Sequence, residues 1–183
     1  MFMSSFAYPS AENIAACPTA RVELGDRREP LPDMLACSLS LPGEAWSGRI
    51  ARSAVEAVLH AHGLDRLAPA AVQVTGELLA AAWRLDPGGS VYLSARYRDD
   101  TLRIAAYDGH QAHGNARLAA HCEARRRAAL RLLRVVVREC GGEWGFGDSR
   151  EPGGGTRTWV TLPRAGALAY LPGRGVPFGS PGR

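Results

Sequence analysis

Apolar and polar residues alternate from Cys37 to Leu41 (CSLSL), over a length that suits an edge strand. Beyond Gly43-Glu44 the period lengthens. Ile50, Ala54, Val58 and Ala61 recur at three or four, which predicts a helix over about residues 45–62. Gly63 stands where a left-handed cap is wanted. Pro69 suits the first turn of a second helix reaching about Leu85, with Val72, Leu79 and Trp83 as one stripe. Asp86-Pro87-Gly88-Gly89 stops it. Alternation returns in VYLSARYR (91–98) and LRIAAY (102–107), with Arg98-Asp99-Asp100-Thr101 between them as a hairpin turn. Asp108-Gly109 opens a polar loop. A long helix is predicted over 117–140, and two short strands, 143–146 and 156–162, flank the loop 147–155.

The expected order is strand, helix, helix, strand, strand, helix, strand, strand. Hairpin-linked strands imply a sheet that is mixed but mostly antiparallel. Helices grouped between them imply a layer on one face. The fold class is therefore α+β, a two-layer sandwich. Residues 1–35, with Pro18, Pro30 and Pro32, read as a flexible N-terminal arm. The folded domain is expected over 36–164, and the glycine- and proline-rich stretch 165–183 reads as a flexible tail.

Composition narrows the chemistry. With 183 residues and 46% hydrophobic content, one domain with a core is expected. No apolar run reaches the roughly 18–20 residues that cross a bilayer, and the N-terminus lacks signal-peptide character. A cytoplasmic protein without membrane contact is the expectation. The four cysteines (Cys17, Cys37, Cys122 and Cys140) form no Cys-x-x-Cys pair and read as free thiols. His60 and His62 point apart on a helix, and His110 and His113 lie in a loop, so no metal site is expected. The net charge is +4, and every basic residue is arginine. Phosphate binding must then rely on arginine or backbone amides. Arg127, Arg131, Arg134 and Arg138 share one helix face beside Leu130, Leu133 and Val137, with Glu123 four residues before Arg127. This face reads as solvated, as a site for an acidic protein, or as charge compensation for a triphosphate. Direct nucleic-acid binding is not expected, since no aromatic interleaving accompanies it.

Four stretches carry a family resemblance. VTGELLAAAWRL (74–85) is similar to a helix box bearing a glutamate and, four residues on, an asparagine. Here these are Glu77 and Ala81, and Leu85 replaces a histidine. RIAAYDGH (103–110) is similar to a strand ending in Asp-Gly, here Asp108 and Gly109, followed by the bulky His110. RRRAALRLLRVVV (125–137) falls where the family has a glycine-rich lid, with Arg127 and Ala129 at the glycine positions. PGGGTRTWVTLP (152–163) is similar to the last box, with Gly155 and Thr156 entering a strand. Together they resemble the GHKL (Bergerat-type) ATP-binding fold of gyrase and histidine kinases, and above all the actinobacterial anti-sigma-factor serine/threonine kinases.

The resemblance implies that Glu77 positions or activates the attacking group and that Asp108 accepts the adenine amine. It places Gly109, Gly155 and Thr156 at the base, around one adenine-sized hollow shared with Glu77. ATP is the implied cofactor, yet alanine at 81 offers a magnesium ion no oxygen. A helical lid would also spend its amides on intrahelical bonds. The implied function is therefore a regulatory protein that binds a sigma factor or an anti-anti-sigma protein, with Mg·ATP catalysis weakened or lost. Homodimerisation is compatible with it. The alternatives are an active serine/threonine kinase or ATPase of the same family, and an unrelated α+β interaction domain.

Overall fold

The computed structural model describes residues 30–150 and 154–171. Strands β1 (Ala36–Pro42), β2 (Ser90–Arg98), β3 (Thr101–Asp108), β4 (Glu143–Asp148) and β5 (Thr156–Pro163) form one sheet in the order β1-β2-β3-β5-β4. Helices α1 (Ser47–Ala61), α2 (Ala68–Leu85), α3 (Ala116–Ala129), α4 (Arg131–Glu139) and α5 (Arg164–Ala169) complete the fold. It is an α+β two-layer sandwich. All four strand pairings are antiparallel, so among the described residues the sheet is not mixed.

The alternation seen in the sequence decides which face is covered. Val91, Leu93, Ala95 and Tyr97 of β2, Leu102, Ile104 and Ala106 of β3, and Val160 and Leu162 of β5 are buried toward the helices. Their neighbours on the opposite face are exposed or half-buried, apart from Ala105 at 6%. The β2–β3 turn has Asp99 at φ 50° and Asp100 at φ 51°, the paired left-handed geometry whose twist matches a two-residue hairpin. The Tyr97 hydroxyl donates to Asp100 at 2.8 Å and helps hold it.

Several helix expectations need correction. In α1 the buried stripe is Ser47, Ala51, Val55 and Leu59, one residue later than the expected series, and Ile50 is 43% exposed. Both series repeat at helical spacing, and only contact with α2 selects between them. Gly63 does cap the helix, at φ +66°. In α2 the buried face is wider than a stripe and includes Ala70, Ala71, Val74, Leu78, Leu79, Ala81 and Ala82, whereas Trp83 lies at the surface. Small alanines let α2 run close beneath the sheet. The long helix expected over 117–140 is two helices that meet at Leu130, which is fully buried.

The domain also extends past 164. Helix α5 buries Ala167 and brings Leu168 and Tyr170 against the core. A Cβ on Gly166 would collide with the Cys140 carbonyl oxygen, so α5 seats directly on the end of α4. Residues 30–35 belong to the fold as well, since Leu35 is 1% exposed. The remainder of the expected arm and tail lies outside the described residues.

Candidate functional site

The helix-facing side of the sheet turns polar at one end. Asp108 closes β3, and its register partner is Thr156, the first residue of β5. Thr158 follows opposite Ala106. All of these side chains point toward the helix layer, because they continue the phase of Leu102, Ile104, Val160 and Leu162. Arg126 of α3 reaches down into this polar end. Its guanidinium donates to both Asp108 oxygens, Nη1 to Oδ2 at 2.7 Å and Nη2 to Oδ1 at 3.0 Å. Nη1 also donates to Thr158 Oγ1 at 3.2 Å. The pair is almost wholly buried, with side-chain exposures of 4% and 2%. A two-pronged contact of this kind satisfies both charges where water cannot.

The loop that follows is tied to this network. The Thr156 hydroxyl donates to the His110 carbonyl at 2.9 Å, and the His110 amide donates to Asp108 Oδ1 at 3.2 Å. The Gly109 amide donates to Asp86 Oδ2 at 2.9 Å, at the end of α2. A Cβ on Gly109 would lie 2.6 Å from that oxygen, so glycine here makes room for Asp86. Gly155 has φ +89°, and a Cβ there would press 2.1 Å from the Asp108 carbonyl. Both glycines thus serve close approach of backbone and carboxylate.

Above the network lies a cavity of about 460 Å³, lined by the loop 110–113, one face of α3, Phe146 to Asp148 of β4, and Thr156. Arg127 stacks over the Phe146 ring at 5.1 Å and pairs with Glu123 at 2.6 Å. His110, His113 and Cys122, all half-buried, place three donor atoms within 4.8 Å of one another at this cavity.

No family model and no curated protein matches the chain.

Asp108, Gly109, Gly155 and Thr156 are therefore neighbours, as expected, but Asp108 is already engaged by Arg126. Thr156 lines the cavity; Asp108 and Glu77 do not. Glu77 lies on α2, half-buried, where Gln73 donates to its Oε1 at 3.1 Å. Burial pushes its carboxyl above the ordinary range, partly countered by Arg84, the Gln73 hydrogen bond and Arg52. Ala81, one turn further on, is 1% exposed within the core. The lid positions Arg127 and Ala129 are helical residues of α3.

Sequence reasoning missed Arg126, although a signal for it existed. Arg126, Leu130, Leu133 and Val137 are spaced four, three and four, and all are buried. An arginine in phase with such a stripe needs an internal carboxylate. It also missed Cys122, because convergence of a helix residue with a loop nine positions earlier is a tertiary fact.

Proposed function

We propose that the chain is a regulatory binding protein of the cytoplasm, built on a GHKL-like scaffold and acting through a protein partner, with ATP bound weakly or not at all. The observation that carries this reading is the buried Arg126–Asp108 fork. A carboxylate whose two oxygens both accept from a guanidinium has little capacity left for an adenine amine. Ala81 within the core and the helical segment at the lid positions argue the same way.

The open face of the sheet supplies a surface for the partner. Arg96 and Arg103 are direct register partners across β2 and β3, two like charges placed opposite each other. Neither joins an ion pair among the described residues. Arg157, Tyr92, Tyr107 and Trp159 line the same hollow of about 540 Å³. Guanidinium groups interleaved with rings suit an acidic protein surface. A sigma factor or an anti-anti-sigma protein is the partner class that the motif resemblance suggests.

The full chain, titrated with ATP with and without Mg²⁺, should give no saturable heat up to millimolar nucleotide. Purified sigma factors and anti-anti-sigma proteins from the same genome should include one that binds. Arg103→Glu should weaken that complex by about tenfold or more while leaving the far-ultraviolet circular dichroism unchanged. Micromolar Mg·ATP binding, or a complex indifferent to Arg103→Glu, overturns the reading. The second reading is a working kinase, in which half-buried Glu77, its carboxyl raised chiefly by burial, is the base that the motif resemblance assigns. Phosphoryl transfer from ATP that Glu77→Gln abolishes would establish that alternative.

A further inference from the structure

We propose that His110, His113 and Cys122 form a zinc site that pins the loop 109–115 to helix α3. The three donors reach one point from two directions. His110 and His113 sit three apart in the loop, whose base is fixed by the bonds from Thr156 and Gly109 described above. Cys122 projects from α3, whose start is set by Asn115: its side-chain oxygen accepts from the amides of Arg117 at 3.0 Å and Leu118 at 3.1 Å. Loop and helix are thus each held independently of the cluster.

The three donor atoms lie close enough together to share one ion. His113 Nε2 lies 3.3 Å from His110 Nε2 and 3.1 Å from Cys122 Sγ. One imidazole nitrogen carries either a single proton or a single lone pair, so without a metal both contacts must share it in a bifurcated bond. A bound cation would instead take one lone pair from each of the three donors. Tetrahedral zinc, with Zn–N near 2.0–2.1 Å and Zn–S about 2.3 Å, sets nitrogens about 3.3 Å apart and nitrogen and sulfur about 3.6 Å apart. The His113–His110 side already has that length, the His113–Cys122 side is about half an ångström shorter, and the His110–Cys122 side lies within 4.8 Å. The ring planes are nearly perpendicular, at 79° with centroids 5.1 Å apart, so the rings do not stack face to face.

Two imidazoles and a thiolate are borderline-soft donors. They suit Zn²⁺ and not a hard cation such as Mg²⁺. Three protein ligands leave one coordination position, and it opens on the cavity lined by Glu123 and Asp148. Binding releases the Cys122 thiol proton, so affinity rises with pH. This inference stands apart from the partner-binding proposal, since none of the three ligands lines the hollow on the open sheet face, and the Arg126–Asp108 pair meets them only through the His110 amide.

Co²⁺ serves as the probe, added to the full chain without an affinity tag, so that no foreign histidines compete. The expected result is one Co²⁺ per chain with a thiolate-to-cobalt charge-transfer band in the near ultraviolet, displaced by one equivalent of Zn²⁺. Cys122→Ser should lose that band, and Cys37→Ser should keep it. His113→Gln should weaken uptake at least tenfold. A readout that needs no variant is alkylation of the native chain, in which Zn²⁺ should slow the reaction of Cys122. A band that survives Cys122→Ser, or cobalt uptake absent together with an unchanged Cys122 alkylation rate, overturns the proposal.

Discussion

At the scale of single residues, Arg126 is the most exacting commitment the fold makes. It stands among three consecutive arginines, and its neighbours Arg125 and Arg127 are exposed while it is buried. Removing it alone strands the Asp108 charge in a dry setting. Arg126→Met should cost about 3–5 kcal/mol of unfolding free energy, and the double variant Asp108→Leu/Arg126→Met should recover most of that loss. Denaturant melts of the two singles and the double form a cycle that measures it. Glu77 presents the opposite case, a carboxylate that the fold disfavours in its ionised form. Because its folded pKa is raised by burial, its contribution to stability is fully present below its unfolded value and is lost as the pH rises through the folded one. Glu77→Gln retains the oxygen that accepts from Gln73 and removes the charge. It should therefore raise the melting temperature at neutral pH, with the gain vanishing in acid. A melting series across that range checks both sign and window.

At the scale of elements, legibility followed how local each signal was. The strands were readable because alternation with a period of two names one face without reference to neighbours, and Trp159 and Thr161 do lie opposite Thr158, Val160 and Leu162. The helices were readable in extent but not in phase. In α1 the true stripe lies one residue from a rival of equal spacing, and an alanine-rich sequence supplies too few large side chains to break the tie. The division of the last long helix at Leu130 has no proline or glycine to announce it. Helix α5 was invisible for a different reason: six residues rich in alanine and glycine carry no periodicity. Its docking depends on fit, since Gly166 rests against Cys140. Gly166→Ala should force α5 off its seat and cost about 1–3 kcal/mol, measured by urea unfolding. The Cys140 thiol, held at a pKa of about 11 chiefly by burial, should then become easier to alkylate.

At the scale of the whole molecule, what could be read was the layer arrangement and the grouping of Asp108, Gly109, Gly155 and Thr156. The boxes that carry them are the ends of adjacent strands. What could not be read was the use made of that grouping. A carboxylate at a strand end looks the same in sequence whether it faces a ligand or an arginine, and Arg126 decides between them from eighteen positions away. Sheet order has its own bearing on the chain. The last strand among the described residues, β5, inserts between β3 and β4. On a ribosome, β4 would therefore emerge with nothing to hydrogen-bond to, and Asp108 would lack its threonine partner, until residues 156–163 had cleared the exit. The cavity, which Thr156 lines, is thus incomplete until β5 has been made. A nascent chain halted before β5 would leave one edge of β3 and both edges of β4 unpaired.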